Sequence, residues 1–144
     1  MKKAMSVFLF LTIILTYQIP HPAGKTNHFS DTKELLYQDM LMTLLGPEID
    51  CKVNDYYSKI INVEPTVYPY QIEVIKAERI GEDRTFHFLL VLDVAPVVGP
   101  HIQVGIDRFT FELAPGINQS QYKLVKFEHL ETFELPTHWK HIYR

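Results

Sequence analysis

Residues 85–94, TFHFLLVLDV, contain the clearest strand pattern of the sequence. Every second side chain from Phe86 to Val94 is apolar, which is the alternation of a strand with one face in a hydrophobic core. Leu89 and Val91 lie between them, so the other face is also partly apolar. A strand that is apolar on both faces is typical of the interior of a sheet. We therefore predict a central strand here.

Further strand patterns lie on both sides of this stretch. Residues 70–74 alternate in the same way and precede the turn residues 81–83, Gly-Glu-Asp. Residues 102–113 and 122–134 predict a third and a fourth strand, with a turn at 115–119 between them. Four consecutive strands with short connections predict an antiparallel meander.

The third predicted strand contains an irregularity at Gly105. Its apolar residues fall first on even and then on odd positions: Ile102, Val104, Ile106, Phe109, Phe111 and Leu113. The face that is turned to the core therefore changes near Gly105, where a residue without a side chain fits a bulge. Asp107 shares the side of Phe109 and needs polar partners or a solvent-filled concavity there.

An amphipathic helix precedes the strands. Asp31 and Glu34 have the spacing of a capping box, and apolar residues recur at helical spacing as far as Ile60. Gly46-Pro47 interrupts the pattern, because proline lacks an amide donor. We predict one bent helical arm over residues 31–59.

The predicted fold class is α+β, with the bent N-terminal helical arm packed on a curved four-stranded antiparallel meander sheet. This layout is comparable with cystatin-like and nuclear-transport-factor-like (NTF2-like) folds. The predicted organisation is a signal peptide at 1–24, a linker at 25–30, one domain at 31–135 and a C-terminal tail at 136–144.

The N-terminus predicts export. Lys2 and Lys3 precede an apolar run over residues 4–19, which is too short, at about 24 Å, for the roughly 30 Å hydrocarbon core. A cleaved signal is favoured, and the product is secreted or retained at the cell surface; an uncleaved segment would attach the chain to a membrane. Without residues 1–24, 12 basic residues face 17 acidic ones, a net charge of −5 that disfavours nucleic acid as a partner.

The sequence contains none of the common catalytic signatures. Gly-x-Ser-x-Gly, His-Glu-x-x-His, a glycine-rich phosphate loop and paired cysteines are all absent. Cys51 is the only cysteine, and its helical pattern predicts a buried apolar position. We predict no cofactor and no metal, and we favour a protein that is not an enzyme.

Four residues form the predicted ligand site: His101, Asp107, Tyr56 and Tyr57. His101 and Asp107 flank Gly105, where an imidazole and a carboxylate could bind a metal or transfer a proton. The alternative is structural, with His101 in a loop and Asp107 accepting backbone hydrogen bonds at the bulge. Tyr56 and Tyr57 lie at the junction of arm and sheet, where they line a pocket or pack in the core.

The same features resemble the domain of unknown function 3888 family, which comprises small exported proteins of Gram-positive spore-forming bacteria. The resemblance rests on the helix with Leu44-Leu45-Gly46-Pro47, on Asp55-Tyr56-Tyr57, and on Gly99-Pro100-His101 followed by Gly105-Ile106-Asp107 and Phe109-Thr110-Phe111. It implies export and a small α+β domain, and it brings no activity or catalytic residue.

Three functions remain open from the sequence. The first is a non-catalytic extracytoplasmic module that binds a small molecule or peptide. The second is a small hydrolase or isomerase with His101 and Asp107 as acid and base. The third is an interaction or inhibitor protein that binds a cell-surface protein through its loops or an edge strand.

Overall fold

A computed structural model describes residues 32–144, with only the backbone described for Asn118. The predicted signal peptide and linker lie outside the described residues. The first element is helix α1, Lys33–Tyr57. Its N-cap is Thr32, whose side chain accepts a hydrogen bond from the Leu35 amide at 3.1 Å. The predicted cap, Asp31, is not among the described residues.

One face of α1 forms half of the core. Its buried residues recur every three or four positions: Met42, Leu45, Ile49, Val53 and Tyr57. Pro47 lies inside this helix and does not end it. Cys51 is exposed, so the prediction of a buried cysteine is wrong, because position 51 falls between the buried residues of the stripe.

The sheet has the predicted order. The strands in chain order are β1 (Ile72–Arg79), β2 (Phe88–Val94), β3 (Val97–Val98), β4 (Ile102–Gln103), β5 (Gly105–Leu113) and β6 (Tyr122–Thr132). One antiparallel sheet has the order β1-β2-β5-β6, and β3 and β4 form a separate hairpin between β2 and β5. The α+β class is confirmed. The predicted third strand is two strands, β4 and β5, which are separated at Val104.

The register irregularity beside Gly105 lies on the neighbouring strand. Ile106 pairs with Glu131, and Asp107 pairs with His129, so Leu130 is an extra residue in β6. This bulge brings His129 directly opposite Asp107. The side of the chain that faces the core does change near Gly105. Val104 and Gly105 are both buried, and after them the buried residues fall on odd positions, beginning with Asp107.

The C-terminal residues are part of the domain. Thr137–Ile142 form a 3₁₀ helix, and Ile142 is buried in the core. The Asn62 amide donates to the Ile142 carbonyl at 2.8 Å, and the Arg144 amide donates to Ile60 at 3.0 Å. Residues 136–144, which the sequence predicts to be a tail, therefore pack against the end of α1. Within residues 32–144, no helix is long and apolar enough to cross a membrane.

Candidate functional site

Asp107 lies in the core under the C-terminal end of α1. The pairing places Ile72, Val94, Asp107 and His129 in one row across the four strands. Asp107 is fully buried, and it is the one charged residue among the buried residues of the described chain. A buried carboxylate requires hydrogen-bond partners, so its neighbours decide what this position can do.

His129 is the principal partner of Asp107. Its Nδ1 lies 2.7 Å from Asp107 Oδ1, and its Nε2 lies 2.6 Å from the Thr132 hydroxyl. The Tyr56 ring stacks on the His129 ring with 4.7 Å between centroids. The three side chains Asp107, His129 and Thr132 therefore form one hydrogen-bonded chain that runs from the core to the surface.

Burial dominates the electrostatics of this network. Desolvation raises the pKa of Asp107, and the hydrogen bond and charge of His129 oppose that rise. Desolvation and the nearby Asp107 carboxylate raise the pKa of the Tyr57 hydroxyl, which stays protonated. Tyr57 also acts to lower the pKa of Asp107, although neither its hydroxyl nor Asp107 Oδ2 has a hydrogen-bond partner in the described structure.

Gly105 allows the close approach of β5 to Tyr57. A Cβ at this position would lie 2.5 Å from the Tyr57 hydroxyl and would also collide with the Glu131 carbonyl. The packing around Asp107 therefore requires a glycine at position 105. This is the physical reason for the glycine at which the apolar pattern changes face.

Three of the four predicted site residues come together, and His101 does not join them. Asp107, Tyr56 and Tyr57 form one cluster with His129, whereas His101 lies in the turn between β3 and β4. Its Nδ1 lies 3.3 Å from the Tyr70 hydroxyl, and its ring lies 5.0 Å from that of Tyr68. The predicted acid–base pair of His101 and Asp107 therefore does not form in this structure.

His129 is not among the site residues that were predicted from the sequence. A signal for it exists in β6, because Tyr122 and Leu124 are apolar on even positions and Phe127 on an odd position. The same change from even to odd positions predicted a bulge at Gly105 in the neighbouring strand. The bulges in β6 fall beside this change and again at Leu130.

The cavity that borders Tyr57 and Thr132 is small. The cavity that these two residues line with Val104 and Leu135 has a volume of only about 10 Å³. That is about the space of one water molecule. The Asp107 network is therefore suited to holding α1, β5 and β6 together.

A much larger cleft lies at the other end of the sheet. Its volume is about 470 Å³. Its apolar walls are formed by Leu41, Ala77, Phe88, Leu89, Leu90 and Leu113. The apolar cleft, as we call it, lies between the N-terminal half of α1 and the ends of β1, β2 and β5. Ala77 is itself exposed, so its small side chain leaves the wall open to solvent.

A family model with the description "Protein of unknown function (DUF3888)" matches residues 37–131, which are 95 of the 144 residues. The chain belongs to the DUF3888 family. No curated protein and no solved structure matches it. The DUF3888 match includes every residue that lines the apolar cleft, and it ends before Thr132.

The charged side chains at the apolar cleft of this DUF3888 domain differ in their partners. Glu78 forms an ion pair with Lys76 at 2.8 Å. The Arg79 guanidinium lies over the Phe88 ring, 4.7 Å from its centre, and donates to the Thr85 carbonyl. Arg79 makes no ion pair within residues 32–144. Of the two charged side chains that line the cleft, it is therefore the one without an ion-pair partner.

Possible metal ligands in this DUF3888 domain are scattered. Among residues 32–144, no three side chains of His, Cys, Asp or Glu are placed to hold one ion. Asp93 is paired with Arg108, and Asp107 is paired with His129.

Proposed function

We propose that this DUF3888 protein is an exported, non-catalytic binding module for a small amphiphile. The apolar chain of the ligand lies in the apolar cleft, and an acidic headgroup lies against Arg79. The observation that supports this most directly is a cleft of about 470 Å³ with apolar walls and one unpaired cation. Export is supported by the basic and apolar residues of the N-terminus.

The size and chemistry of the cleft fit such a ligand. Pockets for small molecules have volumes of about 300–1,000 Å³ and are lined mostly by apolar side chains. Each buried CH₂ group contributes about 0.8 kcal/mol, which is about fourfold in affinity. We therefore expect affinity to rise with chain length until the cleft is full, and then to stay constant.

Arg79 selects the headgroup. Its guanidinium is held over Phe88 and by the Thr85 carbonyl, so it is positioned before the ligand arrives. A carboxylate matches the planar donors of arginine better than an alcohol or an ammonium group does. Because Arg79 is exposed, we expect the contribution of this pair to be modest, about three- to fivefold in affinity.

Calorimetric titration with octanoate, decanoate and dodecanoate, all kept monomeric, tests this proposal. Decanol and decylammonium serve as headgroup controls. In the variant Ala77→Trp, a large side chain fills the cleft from an exposed position, and we expect binding to be lost. Arg79→Gln should weaken the binding of decanoate and leave the binding of decanol unchanged.

The matched control is Leu44→Gln. Leu44 is a 67% exposed residue of the same helix as Leu41, and it does not line the cleft. We expect this variant to bind decanoate like the parent protein. Equal affinity for all three chain lengths, or an Ala77→Trp variant that binds normally, would contradict the proposal.

The two alternative functions receive less support from the geometry. Hydrolysis or isomerisation needs His101 and Asp107 in one site, and each contacts a different group. An interaction through an edge strand would use β1 or β6, which are the edges of the sheet. A peptide that pairs with β1 would reach Ala77 at the apolar cleft, so competition between peptide and decanoate separates these two ligand classes.

A further inference from the structure

A second cleft, of about 450 Å³, lies at the opposite ends of β1 and β2 from the apolar cleft. Its polar and aromatic lining residues are Tyr70, Gln71, Glu73, Asp93 and Gln103. We propose that this polar cleft binds a neutral oligosaccharide, with one sugar ring stacked on Tyr70. The site is separate from the proposed amphiphile site and does not depend on it.

Tyr70 is an exposed aromatic ring in a fixed position. It is 71% exposed, yet it stacks on Tyr68 at 5.4 Å with an angle of 9° between the rings. Its hydroxyl lies 3.3 Å from His101 Nδ1. One face is thus held by protein, and the ring is ordered before any ligand binds, which lowers the entropic cost of stacking.

The turn that carries His101 is itself constrained. His101 has a φ of 63°, which is uncommon for a residue with a side chain. Gly99, two residues earlier, has a φ of 50°, and Trp139 packs so closely on it that a Cβ there would collide with the indole ring. The C-terminal 3₁₀ helix therefore fixes the turn, and the turn fixes His101 against Tyr68 and Tyr70.

The polar side chains of this cleft suit hydroxyl groups. Arg108 binds both carboxylate oxygens of Asp93, at 2.7 and 2.6 Å, and so fixes its orientation. Glu73 pairs with Asp93 in the sheet and has no ion-pair partner among the described residues. Gln71 accepts from the Tyr68 amide at 3.3 Å, which leaves its amino group as a donor.

These features together match a sugar better than other polar ligands. A pyranose ring presents an apolar C–H face, which packs on an aromatic ring, and hydroxyl edges, which donate to carboxylates and accept from amides. Two carboxylates with one arginine leave a net negative charge, which opposes acidic ligands. The ligand class is therefore a neutral, hydroxyl-rich saccharide.

Chemical-shift titration of the protein with cellotetraose and tetra-N-acetylchitotetraose, both neutral, tests this inference, with tetragalacturonate as the acidic control. We expect saturable shifts at Tyr70 with a neutral tetrasaccharide and none with the acidic one. Tyr70→Ala should weaken binding at least about tenfold, and Tyr70→Phe, which keeps the ring, should bind within about threefold of the parent protein.

Tyr37→Ala is the matched control, because Tyr37 is a 64% exposed tyrosine of α1 that does not line this cleft. It should bind like the parent. Decanoate binding of the Tyr70→Ala variant should also be unchanged, which separates the two sites. The inference is overturned if neither neutral tetrasaccharide gives saturable shifts, or if Tyr70→Ala binds as well as Tyr37→Ala.

Discussion

At the scale of single residues, Asp107 is the buried carboxylate beside the C-terminal end of α1. It is fully buried with Tyr56 and Tyr57 next to it, and it pairs with His129. The choice of its histidine could not be predicted. That choice depends on the extra residue Leu130, which shifts the register so that His129 lies opposite Asp107.

Asp107 also predicts a pH dependence of stability. Burial raises its pKa in the folded state above the unfolded value of about 4. A raised pKa means that the folded state binds the proton more tightly, so the stabilisation is full below about pH 4 and is lost as the pH rises through the folded-state pKa. Urea unfolding of the parent and of Asp107→Asn between pH 3 and 8 measures this.

We expect the free energy of unfolding of the parent, relative to Asp107→Asn, to fall as the pH rises across that range. The difference between the two proteins removes the titration of all groups that they share. A difference that is constant with pH, or that increases with pH, would contradict the assigned direction of the pKa shift.

Gly105→Ala should destabilise the protein by about 1–3 kcal/mol, because the new Cβ would collide with Tyr57 and with the Glu131 carbonyl. Gly46→Ala is the control, since a Cβ there meets no atom within 4 Å and alanine favours a helix. Thermal unfolding compares them. A Gly105→Ala variant as stable as the parent would show that the approach of β5 to Tyr57 is not tight.

At the scale of elements, helix α1 has more apolar side chains than its buried stripe uses. Leu35, Leu36, Tyr37, Met40 and Leu44 are all exposed. The 3.6-residue period predicted the helix, and the structure confirms it over Lys33–Tyr57. The period did not show where the core ends along the helix, because that depends on the extent of the sheet beneath it. The apolar cleft lies in this half of α1.

Substitutions of the neighbours Leu44 and Leu45 test which apolar side chains of α1 belong to the buried stripe. Leu45 is fully buried, so Leu45→Ala should lower the free energy of unfolding by about 2–5 kcal/mol. Leu44→Ala should change it by less than about 0.5 kcal/mol, because Leu44 is exposed. Chemical denaturation of both variants is the measurement. Equal losses of unfolding free energy would contradict the assignment of Leu45 to the buried face of the helix and of Leu44 to the exposed face.

At the scale of the whole molecule, the order of the four strands could be predicted because each connection is marked by turn residues. The β3–β4 hairpin and the docked C-terminal 3₁₀ helix could not, because both depend on long-range packing, such as that of Trp139 on Gly99 and of Ile142 in the core. The comparison with cystatin-like folds stays a prediction. The clefts also escaped prediction, since they arise where one element stops covering another.

The two clefts lie at opposite ends of β1 and β2, so we expect them to bind their ligands independently. A methyl NMR titration with decanoate tests whether the ligand binds in the apolar cleft. We expect saturable shifts that concentrate on Ala77, Leu90 and Leu113, and we expect those of Leu90 and Leu113 to disappear in Ala77→Trp. Shifts that spread over the exposed leucines of α1 without saturation, or no shifts at all, would contradict a binding site in the apolar cleft.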